Sequence, residues 1–220
     1  MSTGKDFLVE LGTEELPPKA LKNLSEAFLH GVVDGLAEQR LQHEDARTYA
    51  TPRRLAVYVS ALAASQPDRQ VAAKGPPVSV AFDDAGKPTK AALAFAKKCG
   101  VEVDALQREK TDAGEWLSYS ATEKGKSAHE LLPGIVAAAL DKLPVPRRMR
   151  WGAGEAEFVR PVHWLVMLHG KSVVEATLYG VDAGNTTRCH RFHAPGELKS
   201  AAPDRYVDLL EKKGWVVADF

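Results

Sequence analysis

The sequence predicts a mixed α+β fold, rich in antiparallel sheet with helices packed on it. Three observations predict it. Apolar runs of strand length recur along the chain, and stretches with apolar residues three or four apart lie between them. One pair of strand-like runs is separated by a short polar turn, as in a hairpin. Helices and strands thus intermix rather than segregate.

Residues 7–11, Phe-Leu-Val-Glu-Leu, read as a mostly buried strand that Gly12-Thr13 breaks. Pro17-Pro18 suits the first turn of a helix. Leu21, Leu24, Phe28, Val32 and Leu36 then mark one face of a long amphipathic helix ending near Leu41. Leu55, Val57, Val59 and Leu62 predict a strand after Pro52. Asp83-Asp84-Ala85-Gly86 predicts a turn. Thr89 is placed to cap a helix whose Ala92, Phe95, Ala96 and Cys99 share a face, with Gly100 as its stop. Residues 115–122 read as a strand. Ser127 and Glu130 match the S-x-x-E capping box ahead of a helix carrying Leu132, Ile135, Val136, Ala139, Leu140 and Leu143. Pro133 is expected to kink that helix or delay its start. Residues 162–168 and 173–179 form two strand-like runs joined by His169-Gly170-Lys171-Ser172. Pro203 opens a last helix with Tyr206, Val207 and Leu210 inward and Gly214 as its stop, and residues 215–218 predict one more strand.

A length of 220 residues fits one large domain or two small ones. The segments most like linkers are 144–154 and 66–78. A chain that stops on Trp215-Val216-Val217 is expected to be a piece of a longer protein. The longest apolar run, 55–64, is too short to span a bilayer, and no basic segment with an apolar core marks a signal peptide. Two cysteines, Cys99 and Cys189, make no disulfide framework, and a reducing cytosol is the simplest expectation.

With 29 basic and 29 acidic residues the net charge is zero, which argues against an indiscriminate polycation. The charge is unevenly spread, however. Residues 1–46 hold 4 basic and 9 acidic side chains, whereas residues 147–193 hold 7 basic and 4 acidic. Neutrality therefore permits a local basic patch.

The common catalytic motifs fail on inspection. Gly125-Lys126-Ser127 lacks the glycine a phosphate loop needs five residues earlier, where Ser120 stands, and Ser127 is already explained as a cap. Gly152-Ala153-Gly154 lacks the third glycine of a dinucleotide fingerprint. Cys189, His190 and His193 have no second ligand pair at zinc spacing and read as a packed cysteine with surface histidines. Glu14 and Glu15 sit where carboxylates favour a helix N-terminus, so no metal site and no catalytic residue is assigned.

The stronger constellation is basic and aromatic. Arg53 and Arg54 precede a strand. Arg147, Arg148, Arg150 and Trp151 cluster, as do Arg160, His163 and Trp164. Arg188, His190 and Arg191 flank Cys189 and precede Phe192. Guanidinium forks fit phosphate and rings stack on unpaired bases, so these residues are candidates for RNA contact. The alternative is that the arginines pair with internal acids while the aromatics form core.

At these residues the sequence resembles a known family. Gly12-Thr13-Glu14-Glu15-Leu16-Pro17-Pro18, Thr51-Pro52-Arg53-Arg54-Leu55-Ala56, Lys74-Gly75-Pro76 and Gly86-Lys87-Pro88-Thr89-Lys90-Ala91 come first. Gly114-Glu115-Trp116-Leu117, Met149-Arg150-Trp151, Phe158-Val159-Arg160-Pro161-Val162-His163-Trp164 and His190-Arg191-Phe192 follow in order. Together they resemble the N-terminal part of the beta subunit of bacterial heterotetrameric glycyl-tRNA synthetase. Cys189 stands where that family usually has glycine. The resemblance implies that residues 1–220 are the N-terminal region of a longer subunit, similar at fold level to the editing-type domain of the phenylalanyl-tRNA synthetase beta subunit. It implies a noncatalytic region of a cytoplasmic ligase that supports tRNA binding and assembly. No cofactor is expected here, ATP and magnesium being used at a separate alpha subunit. The implied partners are that alpha subunit and tRNA-Gly, in a tetramer of two alpha and two beta chains. The alternatives are a hydrolase clearing misacylated tRNA, with Glu14, Glu15, His163 and His190 as acid–base groups, and a pure assembly scaffold.

Overall fold

A computed structural model describes residues 4–83, 86–111, 114–145, 147–151 and 156–219. In chain order these residues form β1 (Lys5–Thr13), α1 (Leu21–Glu38), β2 (Ala46–Thr51), β3 (Arg54–Leu62), β4 (Arg69–Pro77), α2 (Val78–Ala81) and α3 (Lys90–Cys99). Then come β5 (Gln107–Thr111), β6 (Gly114–Glu123), α4 (Ala128–Asp141), β7 (Met149–Arg150), β8 (Glu157–Phe158) and β9 (Val162–His169). The chain ends with β10 (Ser172–Val173), β11 (Thr177–Leu178), β12 (Val181–Gly184), β13 (Thr186–Arg188), β14 (Glu197–Lys199) and α5 (Tyr206–Lys212). The class is mixed α+β with mostly antiparallel sheets, as the interleaved periodicities require.

The chain divides into two compact units, one made of residues 1–66 and 126–220, the other of residues 67–125. The first is built on a sheet of order β11-β12-β9-β1-β3-β2, with β10 also on β9. Among the described residues only the β12–β9 pairing is parallel. Strand β1 lies between β3 and β9 and is buried on both faces, which explains why residues 7–11 lack a polar alternation. Phe7, Val9 and Leu11 face one core with Leu24, Phe28 and Val32 of α1 and Leu132, Val136 and Leu140 of α4. Leu8 faces the other core with Trp164, Val166, Leu168 and the α5 residues Tyr206 and Leu210.

The two long helices pack closely because glycine leaves room. A Cβ on Gly31 would lie 2.9 Å from the Ala139 Cβ, and one on Gly35 would lie 2.7 Å from Ile135. The capping box is formed as expected, with Glu130 N donating to Ser127 Oγ at 3.3 Å and Ser127 N donating to Glu130 Oε2 at 2.9 Å. Pro133 neither stops nor delays this helix, which starts at Ala128 and runs through it.

The second unit holds the sheet β4-β6-β5 under α2 and α3, with Ala81, Ala92, Phe95 and Leu117 as its core. Most of segment 66–78, read above as linker-like, is strand β4. Thr89 occupies the N-cap position of α3 as expected, but its hydroxyl makes no capping bond and donates instead to the Val80 carbonyl at 2.8 Å. Gly100 ends α3 in the left-handed conformation, φ +70°. Asp84 and Ala85 of the expected turn, and Gly152-Ala153-Gly154, lie outside the described residues.

Two further expectations change in the first unit. The run 173–179 is interrupted, giving β10 and β11 rather than one strand, although the turn at Gly170 does join β9 to β10. Residues 215–218 form no strand. They alternate outward and inward, with Trp215 and Val217 exposed and Val216 and Ala218 buried, and the Ala218 carbonyl accepts a bond from Ala50 N at 3.0 Å.

Candidate functional site

Antiparallel pairing places the end of β1 beside the beginnings of β3 and β9, with Gly12 opposite both Arg54 and Trp164. Three motifs distant in sequence therefore meet at one end of the sheet. Backbone bonds lock them: Thr13 N to Arg53 O at 2.9 Å, Glu14 N to Pro161 O at 3.0 Å, and Leu16 N to Pro52 O at 2.6 Å. Gly12 is required there because the Trp164 indole lies over it, and a Cβ would fall 1.9 Å from the ring.

The inner layer of this end is a buried charge cluster. Glu10 is fully buried and Arg54 is 2% exposed. Glu10 Oε1 accepts from Trp164 Nε1 at 2.8 Å and from Thr187 Oγ1 at 2.7 Å, and stands 3.4 Å from Arg54 Nη1. Arg54 Nη2 also donates to the Arg188 carbonyl at 2.6 Å. Arg54, a candidate for RNA contact by sequence, is thus an internal counter-charge for Glu10 and holds β13 in place. Tyr206 lies in the core beside the pair, and burial pushes its hydroxyl well above the usual tyrosine range.

The outer layer is organised by Glu14. Its Oε1 lies 3.4 Å from Arg53 Nη2 and 3.3 Å from His163 Nε2, and its Oε2 lies 3.9 Å from Arg191 Nη1. The His163 contact is at ion-pair distance without hydrogen-bond direction. One carboxylate so gathers three of the candidates. Arg160 joins them by donating from Nε to the Glu15 carbonyl at 3.0 Å. Arg188 sits over the Trp164 ring at 5.2 Å and pairs with Glu197 at 3.6 Å.

Beside this end opens a cavity of about 270 Å³, whose lining includes Arg53, Trp164, His190, Arg191, Phe192 and Trp215. A second depression runs past Glu14, Pro17 and Arg160 and shares Glu15, Pro52 and Arg191 with the first. His190 shapes the rim, since its Nδ1 accepts from the backbone N–H of Phe192 and of His193, each at 3.2 Å. Phe192 is 79% exposed and Trp215 66% exposed. The His193 ring is stacked on Trp215, with centroids 6.4 Å apart.

The remaining candidates lie elsewhere in the unit. Arg148 is held to Asp141 at 3.3 Å and Arg150 to Glu157 at 3.2 Å. Trp151 packs against the α1–α4 core, and none of Arg147, Arg148, Arg150 and Trp151 lines either depression. Burial pushes the Cys189 thiol up, away from the thiolate a metal or a nucleophile would need. Among the described residues no group of three His, Cys, Asp or Glu could hold a metal ion, and no helix is long and apolar enough to cross a membrane. Sequence reasoning missed Glu14 as a hub and Trp215 as a rim residue. Neither had a local signal, because both roles depend on contacts between distant segments.

Known proteins match nearly the whole chain. A family described as glycyl-tRNA synthetase beta subunit matches residues 7–220. The chain belongs to this family. A glycine–tRNA ligase beta subunit of Marinobacter nauticus is 52% identical over 216 residues, covering 98% of this chain and 31% of the relative. The corresponding subunit of Hahella chejuensis is 50% identical over the same coverage, and that of Edwardsiella ictaluri is 47% identical over 99% of this chain and 32% of the relative. The chain thus spans about a third of the length of these beta subunits.

Proposed function

We propose that this chain is the N-terminal region of a glycine–tRNA ligase beta subunit and that it binds tRNA at the Glu14 end of its central sheet. The observation that carries the reading is the convergence of Arg53, Arg160 and Arg191 with exposed aromatic rings around two adjoining depressions. Cations there would meet phosphates, and the rings would meet bases. In this reading the ligase joins glycine to tRNA-Gly with ATP in the cytoplasm, glycine activation belonging to a separate alpha subunit in a tetramer of two alpha and two beta chains. Magnesium and ATP would act there, and this region would hold neither. The region would position tRNA and support assembly without catalysing a step.

Titration of the 220-residue chain with tRNA at several salt concentrations tests this. Three phosphate contacts predict a slope of log K against log salt of about −2 to −3. Charge reversal by Arg191→Glu should weaken binding and flatten that slope. No binding at low salt, or binding that Arg191→Glu and Arg160→Glu both leave unchanged, would remove this face as the site.

A further inference from the structure

Trp215 is one of four non-glycine residues with a left-handed backbone among the described residues, and the one that lines the cavity. Its φ is +57°, in the left-handed region that bulky L-residues rarely adopt. Strain of this kind persists where surrounding structure enforces it and is concentrated at functional sites. Here the enforcement is visible, since His190 N donates to Gly214 O at 2.7 Å and Val216 N donates to Leu210 O at 3.0 Å. The result is an indole held outward, 66% exposed, where it contributes little to the core. Phe192 is presented next to it on the His190 turn, and both rings line the one cavity.

We propose that this cavity takes a single unpaired nucleotide, its base against the Trp215 and Phe192 rings and its phosphate toward Arg53 and Arg191. This deepens, and rests on, the reading that the face binds tRNA. Three features favour such an occupant. At about 270 Å³ the cavity lies just below the ~300–1,000 Å³ of sites for drug-sized molecules, a size for one small ring system with its substituents. Two flat rings at its rim offer the stacking surfaces on which unstacked single-strand bases bind, whereas a base inside a duplex has both faces covered by its stacked neighbours. Arg191 is 53% exposed, paired to Glu14 at 3.9 Å and 5.8 Å from the Phe192 ring centroid, so its charge stands at the edge of the cavity beside that ring. The adjoining depression with Arg160 gives the sugar–phosphate chain a path away from it.

The test separates fold from binding. Trp215→Gly removes the ring and also relieves the left-handed backbone, so its thermal midpoint should equal or exceed that of the parent. Its affinity for a short single-stranded oligoribonucleotide should fall about 5- to 160-fold, the range for loss of one base stack. Quenching of tryptophan fluorescence by that oligonucleotide should also fall, to the share that Trp164 contributes from the cavity lining, while binding to a blunt RNA duplex should change little. Phe192→Ala should repeat the loss more weakly. If Trp215→Gly binds single strand and tRNA as the parent does, the nucleotide pocket is refuted while tRNA binding stands. If the parent binds no RNA at all, the tRNA reading fails and the pocket with it. If Trp215→Gly keeps RNA affinity but loses co-elution with an alpha subunit, the rim is a protein contact and the proposal is overturned.

Discussion

Replacing Glu10 with glutamine keeps the shape of the side chain and removes its charge. Arg54, 2% exposed, would then be a buried cation facing only neutral partners. Breaking a buried pair in this way costs about 3–5 kcal/mol. For a domain of this size each kcal/mol lowers the midpoint by about 2–4 °C, so Glu10→Gln should unfold about 6–20 °C below the parent in a calorimetric or circular-dichroism scan. Removing both charges, by Glu10→Leu with Arg54→Met, should recover much of the loss, because no charge remains to be desolvated. Recovery should stay incomplete, since Trp164 Nε1 and Thr187 Oγ1 lose the acceptor they now share. A Glu10→Gln variant within about 1 kcal/mol of the parent would refute the reasoning. So would a double variant as unstable as the two single losses added together.

Further outcomes follow from the same geometry. Burial holds His169 below the ordinary histidine range, opposed by its bond from Nε2 to the Leu62 carbonyl and reinforced by the nearby charges of His129 and Lys5. The unfolded chain takes up this proton below about pH 6.5 and the folded chain resists it, so stability is intact above that pH and declines as pH falls beneath it. His169→Gln should flatten that decline in a pH series of thermal midpoints. Gly12→Ala forces a methyl group into the Trp164 indole and should cost about 1–3 kcal/mol, measured by denaturant unfolding. Ser127→Ala removes the acceptor for Glu130 N and should lower the midpoint by about 2–4 °C.

The elements that were legible in the sequence are those whose signal is local. Leu24, Phe28, Val32 and Leu36 carry the buried face of α1 in their spacing, and the Ser127–Glu130 box marks the start of α4. Strands β2 and β4 were not legible: Arg47-Thr48 stands near the start of β2 and Arg69-Gln70 opens β4, all polar residues, and only pairing to β3 and β6 makes them strands. Trp215–Val217 has strand-like composition, yet it gains one ladder-like bond at Ala218 and no partner strand among the described residues. The candidate site divides along the same line. The sequence places arginines beside aromatics, but it does not say that Arg54 will spend its charge on Glu10, or that Arg53, His163 and Arg191 will gather on Glu14. Those acids are far away in sequence and reach Arg53, Arg54 and His163 through the β3-β1-β9 register, and Arg191 through the turn that follows β13.

The central claim is that RNA lies on the Glu14 end of the sheet. Photo-crosslinking of the 220-residue chain to tRNA, with the attached peptides identified by mass spectrometry, tests it most directly. Crosslinks should concentrate on the peptides that carry Phe192 and Trp215 and should vanish for Phe192→Ala with Trp215→Gly. Crosslinks confined to residues 67–125, or to the Arg147–Arg150 ribbon, would contradict it.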